Sequence, residues 1–144
     1  MRIVMLISMM AVLGACTVGP DIRVDRDPAA DLKTSRTFGF YHRTPPDQAL
    51  YSANMTQRMK DATRITLESH GYRYTDRDPD LWVNFFLHMA DVRIELVDAE
   101  RHAVVWRGVA QGRSGNQTRR NQTRAIDLVV WELFVAFPQA QIKL

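Results

Sequence analysis

The stretch LWVNFFLHM, residues 81–89, has apolar side chains at every odd position: Leu81, Val83, Phe85, Leu87 and Met89. A strand sends successive side chains to opposite faces, so this alternation defines one face that meets a core. The even positions place Trp82, Asn84, Phe86 and His88 on the reverse. A sheet covered on one side ordinarily shows water plain polar residues there. Large aromatics interleaved with polar groups have instead the make-up of an interface. Either a loop or the N-terminal segment covers these residues, or they meet a partner. Trp82, Asn84, Phe86 and His88 are therefore the candidate interaction face.

Working outward, only Ala90 and Asp91 separate this strand from VRIELV, residues 92–97, which predicts an antiparallel hairpin. A turn through DAERH leads to VVWRGVA, residues 104–110, where Arg107 is expected opposite Glu95. Upstream, IRVD (22–25) and TFGFY (37–41) read as strands, the second with Phe38 and Phe40 on one face. RTPPDQ is a loop, because its two prolines suit no helix interior. A helix is predicted over 52–70, with Met55, Met59, Ala62 and Ile65 as its core stripe and Gly71 as its stop. A second is predicted over 124–137, carrying Ile126, Val129, Val130, Leu133, Phe134 and Phe137 inward and ended by Pro138. Beside that stripe run Leu128, Trp131 and Val135, for which deep burial is the commoner explanation and a docking ridge the rarer. The sum is one α+β domain over 22–138, with a 139–144 tail. Its sheet is expected to be largely antiparallel, of about five strands, with two helices packed on one face.

Composition agrees: 144 residues, 46% hydrophobic and 24% charged, make one folded domain. The single cysteine excludes an internal disulfide and a cysteine-based zinc site. It lies just after Arg2 and the apolar run IVMLISMMAVL, residues 3–13. That run is shorter than the roughly 20 residues a bilayer span needs, and suits the apolar region of an export signal. The order Leu13, Gly14, Ala15, Cys16 resembles a bacterial lipobox. Residues 1–15 are thus expected to be a lipoprotein signal peptide, and Cys16 to carry a diacylglycerol and an acyl chain such as palmitate. Two or more chains make membrane release negligible, at about 0.8 kcal/mol per buried methylene. Thr17, rather than aspartate, follows the cysteine, which resembles the default for transfer to the outer membrane. In the tether of residues 16–21, Thr17 to Asp21 spans at most about 18 Å, so the body is expected near the headgroups on the periplasmic face. Removal of the signal leaves 18 basic and 16 acidic residues.

Catalysis needs a nucleophile with its base, a tuned acid–base pair or an open metal site. The chain has no G-x-S-x-G, no phosphate-cradling glycine loop and no H-E-x-x-H, and its four histidines have no ligand spacing. Asp76, Asp78 and Asp80 imitate the start of a calcium loop, but Leu81 stands where its turn glycine belongs and Leu87 where its glutamate belongs. The expectation is no enzyme, no catalytic residue, no metal and no cofactor beyond the lipid on Cys16.

Charge is more informative. Between Arg101 and Ile126 there are six arginines and no acid. Arg107 is assigned to Glu95. Arg113, Arg119, Arg120 and Arg124 lie near the start of the last helix, where the macrodipole disfavours cations. They are the candidate contacts for an anionic surface, namely lipid headgroups or the acidic groups of peptidoglycan. Nucleic acid is excluded as a partner of an exported lipoprotein.

Four stretches, VDRDPAADLKTSRTFGF (24–40), GYRYTDRDPDLWVNF (71–85), LVDAERHAVVWRGVAQG (96–112) and AIDLVVWELFVAFP (125–138), together resemble one family. It is the bacterial lipoprotein family of domain of unknown function 4136. The resemblance implies a cell-envelope lipoprotein with no assigned activity. Members often carry a tyrosine- and glycine-rich insertion between the strands that here meet at Ala90 and Asp91, so any role of that insertion does not transfer. The expected function is a periplasm-facing, non-catalytic interaction or scaffolding module of the outer membrane for envelope components, an envelope protein or peptidoglycan. The alternative is direct binding of peptidoglycan or anionic lipid through the arginine cluster. Nothing in the sequence fixes the oligomeric state.

Overall fold

A chain that returns through a helix between two strands lays those strands parallel, and this governs one edge of the sheet. The computed structural model describes residues 20–41, 53–88, 91–112 and 119–141, with the side chains of 53, 88 and 119–124 left outside that description. The elements are β1 (Asp21–Arg26), β2 (Thr37–Phe40), α1 (Ala53–Ser69), β3 (Arg73–Tyr74), β4 (Leu81–His88), β5 (Asp91–Asp98), β6 (Ala103–Gln111) and α2 (Arg119–Phe134). They form an α+β domain with one sheet in the order β1-β6-β5-β4-β2-β3.

The expectation of about five strands, largely antiparallel, is right in outline and differs in two details. Six strands are present among the described residues, and β2 pairs in parallel with both β3 and β4. The reason is the crossover: α1 carries the chain from the end of β2 back to the start of β3 and β4, and parallel strands require such a return. The remaining pairings, β1–β6, β4–β5 and β5–β6, are antiparallel as expected. In the β4–β5 hairpin His88 pairs with Asp91, so the connecting residues are 89 and 90, not 90 and 91. That slip moves every partner by two, which leaves each side chain on its expected face.

On the inner face the strands supply Phe38, Phe40, Leu81, Val83, Phe85, Ile94, Leu96 and Trp106, all buried. The helices lie side by side over this face. α1 ends at Gly71, whose φ of +89° is the left-handed cap only glycine adopts freely. The Gly71 N–H donates to Glu68 O at 3.0 Å and the Tyr72 N–H to Leu67 O at 3.1 Å, closing the last turn. Tyr72 and Leu67 are both buried, which supplies the apolar contact of this cap.

α1 is rotated from expectation. Its buried residues are Met59, Ala62, Thr63, Thr66 and Leu67, whereas Ile65, expected in the core, is 69% exposed. Two threonines on the inward face disguise a stripe that runs i, i+3, i+4, i+7, i+8. Thr66 is satisfied there because its hydroxyl donates to Ala62 O at 2.8 Å. α2 starts five residues before its expected first residue and ends at Phe134, while Phe137 beyond it is still buried. Leu128, Trp131 and Val135, whose burial was the expected outcome, are 61%, 57% and 61% exposed. The helices form a single layer, and among the described residues nothing is stacked on its far side.

Past Pro138 the chain is tied down, at least as far as Gln141. The Ala140 N–H donates to His70 O at 2.9 Å, and the Gln141 N–H to Lys33 O at 3.0 Å. Residues 1–15, Cys16 and Arg113 lie outside the described residues.

Candidate functional site

The candidate interaction face is the outer surface of the sheet. β4 places Trp82, Asn84 and Phe86 there, all half-buried, while Leu81, Val83 and Phe85 point to the helices. His88 is the last residue of the same strand, so the backbone brings all four candidates to one face of β4. The His88 side chain is outside the described residues.

Cross-strand register extends this face over β5 and β6. Trp82 pairs with Val97, Asn84 with Glu95, and Phe86 with Arg93. Glu95 in turn pairs with Arg107. The expected Glu95–Arg107 ion pair is present, with Arg107 Nε donating to Glu95 Oε1 at 2.8 Å. Arg93 Nε lies 3.6 Å from the same oxygen. Glu95 is only 7% exposed, so one carboxylate held between two guanidinium groups forms the centre of the face. A carboxylate that deep is tolerated because both neighbours supply opposite charge.

Each aromatic residue has a defined seat. The Arg93 guanidinium lies 4.1 Å from the centroid of the Phe86 ring, a cation–π contact that leaves the cation in water. Trp82 meets Tyr41 edge to face, with ring centroids 5.9 Å apart at 87°. The indole also lies over Gly39, where an added Cβ would stand 2.7 Å from Thr75 O and 3.2 Å from the Trp82 ring. Glycine is required here for close approach. Tyr41 and Val104 are exposed on the same side. The face is thus aromatic and aliphatic at its edges and ionic at its centre. Arg93, Tyr41 and Val104 were not singled out in the sequence, and the expected hairpin register would have set Arg93 opposite His88, two residues from its observed partner Phe86.

The arginine candidates separate. Arg101 lies 3.7 Å from Asp27, and Arg107 belongs to the sheet face. Arg119, Arg120 and Arg124 fall within the first two turns of α2, whose first turn contains no acidic residue. The backbone brings these three together at one helix end, whereas Arg113 is outside the described residues.

The aspartates of residues 76–80 are turn hardware. Asp80 Oδ2 accepts from the Arg36 N–H at 2.7 Å, the Thr37 N–H at 2.9 Å and the Thr37 hydroxyl at 3.0 Å. Burial pushes the Asp80 carboxyl up, but these three donors and the nearby Arg36 charge outweigh it and hold the group below its ordinary range. Asp76 accepts from the Tyr74 hydroxyl. Among the described residues no three His, Cys, Asp or Glu side chains converge as a metal site. No described helix is long and apolar enough to cross a membrane.

The fold and face define a two-layer α+β domain whose sheet presents an aromatic, arginine-flanked surface. The chain belongs to the family described as Domain of unknown function (DUF4136), whose model matches residues 22–93, half of its 144 residues. No curated protein matches the chain. Among solved structures it is similar to a PDZ domain protein from Parabacteroides distasonis, at 10% identity and a TM-score of 0.63. That likeness covers 84% of this chain and 36% of the other, so the chain spans about a third of that protein's length. It is also similar to PelC from Paraburkholderia phytofirmans, crystallised as a dodecamer, at 13% identity and a TM-score of 0.53, covering 85% of this chain and 99% of that one. Both likenesses are of fold.

Proposed function

We propose that this chain is an outer-membrane lipoprotein, anchored through Cys16 and facing the periplasm, that acts without catalysis as an interaction module for envelope components. The observation that carries the reading is the outer sheet face, where Trp82, Phe86, Tyr41 and Val104 surround the Arg93–Glu95–Arg107 centre. Aromatic residues and arginine are the types enriched at protein interfaces, and a preformed, mutually braced set loses little entropy on binding. An envelope protein offering an apolar surface rimmed by acidic groups fits it. Membership of the DUF4136 family supports an envelope-type role.

The test is a photocrosslinking residue at position 86 in intact cells. A discrete protein adduct from the folded, membrane-bound protein supports the sheet face as the working surface. Absence of any adduct from a folded, membrane-bound protein removes it. A Cys16→Ser variant is expected in the soluble fraction, and its retention in the membrane would refute acylation. The second reading, direct binding of peptidoglycan or anionic lipid by Arg113, Arg119, Arg120 and Arg124, draws on three of them opening α2 without an acidic neighbour in its first turn. It requires that charge reversal at Arg119 and Arg120 abolish co-sedimentation with the purified wall or with anionic vesicles.

A further inference from the structure

The side of the domain opposite the sheet face is also unpartnered. Among the described residues seven large apolar side chains are exposed, and five of them, Val24, Ile65, Leu128, Trp131 and Val135, belong to the helix side. Their positions are related. Arg58 and Asp127 join α1 to α2 across the outer seam, with Arg58 Nε donating to Asp127 Oδ1 at 2.9 Å. Ile65 follows Arg58 by seven residues and Trp131 follows Asp127 by four, so helical periodicity puts both along that seam. Leu128 and Val135 continue the ridge outward on α2. Val24 extends it to the edge strand, because its partner Gly108 faces the helices.

We infer that this ridge rests on the lipid surface that holds the anchor, so that the helices lie on the membrane and the sheet face looks into the periplasm. The inference rests on the lipoprotein reading of Cys16. Three observations choose lipid as the occupant. The first is tether length. The chain enters the fold at Asp21, at the end of β1 that pairs with Gln111, the last residue of β6. α2 follows β6 and runs back along it, since Phe134 stacks on Trp106 with ring centroids 4.6 Å apart. The tether and the start of α2 therefore share one end of the domain. The outer surface of a helix layer stands roughly 15 Å above its sheet, and the tether reaches about 18 Å. A ridge on that layer touches the same surface as the anchor without strain.

The second observation is charge. The two helices carry six basic and four acidic residues, while the rest of the chain from Cys16 onward carries twelve of each. The sequence of the two helices thus carries the net positive charge, through Arg119, Arg120 and Arg124 at the start of α2. Two of the four acids on the helices are already paired, Asp127 with Arg58 and Glu68 with Arg64. An anionic leaflet attracts that end of α2. The third is area. A patch of five partly exposed side chains amounts to several hundred Å², large enough to mark a contact site. It is smaller than the roughly 800 Å² per partner that a stable protein interface buries. A surface already tethered needs no such area, because the anchor supplies the affinity and the ridge supplies orientation. Tryptophan beside leucine and valine on a helix with basic residues in its first turns is the composition of an interfacial helix.

Tryptophan fluorescence reads this directly, since the chain has three: Trp82 on the sheet face, Trp106 in the core and Trp131 on the ridge. The acylated full-length protein is reconstituted into vesicles of phosphatidylethanolamine and phosphatidylglycerol whose acyl chains are brominated near the headgroup. The protein should float with the vesicles and lose emission to bromine. Trp131→Phe should abolish that loss, and Trp82→Phe should leave it intact. Protein that floats but shows no quenching of Trp131, or whose quenching disappears with Trp82→Phe, overturns the orientation and leaves the lipoprotein reading standing. Protein that fails to float overturns the lipoprotein reading and the inference with it. Shielding of Trp131 by a concentration-dependent dimer in detergent would assign the ridge to a second copy and also overturn the inference.

Discussion

Tyr72 shows how one side chain ties distant segments together. It follows the glycine cap of α1 and is 2% exposed, and its hydroxyl donates to Leu32 O at 2.8 Å. Its ring meets Phe137 at a centroid distance of 5.5 Å. The loop between β1 and β2, the end of α1 and the chain after α2 are thus joined by one phenol. Burial, with a smaller contribution from the Asp31 charge, pushes its pKa from 10.0 to about 12. The folded state therefore holds the phenolic proton through a range in which the unfolded chain has released it. The associated stability is fully present below pH 10 and is lost as pH rises through about 12. Tyr72→Phe is expected to cost about 1–3 kcal/mol at neutral pH, because the Leu32 carbonyl is left buried without a donor. The same variant should flatten the decline in stability between pH 9 and 11, a range chosen around that ordinary value. Urea unfolding at the two pH values measures both effects, and an unchanged alkaline slope would show that Tyr72 is not its source.

At the scale of elements, β6 and α2 are locked by a shared requirement. The Trp106 indole lies flat under α2, stacked on Phe134 at 17°, and it occupies the space above Gly108. A Cβ at Gly108 would stand 2.5 Å from the Trp106 ring and 3.0 Å from Leu133 Cδ2, far inside contact distance. Gly108→Ala is expected to destabilise by about 1–3 kcal/mol through overpacking. A concurrent shift in near-ultraviolet circular dichroism from the displaced indole would separate this cause from a simple change in strand propensity. The same pair shows what patterns convey and what they hide. Strands with clean alternation, above all β4, and the inward residues of α2 are legible because every inward position is apolar. α1 is legible as a helix but not in its rotation, because Thr63 and Thr66 take core positions while Ile65 faces out. β3 is two residues long and exists only through its pairing with β2, which no local pattern encodes. The parallel edge of the sheet follows from topology: a strand, a returning helix and another strand already imply it.

At the scale of the molecule, the sheet and helix layers give the domain two unlike sides, an aromatic and ionic one and one with an exposed apolar ridge. The first was legible at Trp82, Asn84, Phe86 and His88 from alternation alone, although its Arg93–Glu95–Arg107 centre needed the register. The second was not, because burial was the better expectation for a second apolar stripe and only the single helix layer decides otherwise. The layers also set the minimum folding unit. The family match ends at residue 93, before Ile94, Leu96, Val105, Trp106, Val130, Leu133 and Phe134, all of them buried. β6 lies between β1 and β5, so β1 has no other strand to pair with. Without β6 and α2, β1 is left unpaired, β5 becomes an open edge and α1 loses its neighbouring helix. A fragment of residues 20–97 keeps β2, β3, β4 and most of β5 as a sheet but loses seven of the nineteen buried apolar residues and the cover of α2, leaving too little to offset the entropy of ordering it. It is therefore expected to lack a cooperative thermal transition, whereas residues 20–141 should melt in a single step. Circular dichroism melts of the two constitute the test. A sigmoidal transition in the shorter fragment would place the stability of the fold in the β2-α1-β4 crossover alone and make β6 and α2 an accessory layer.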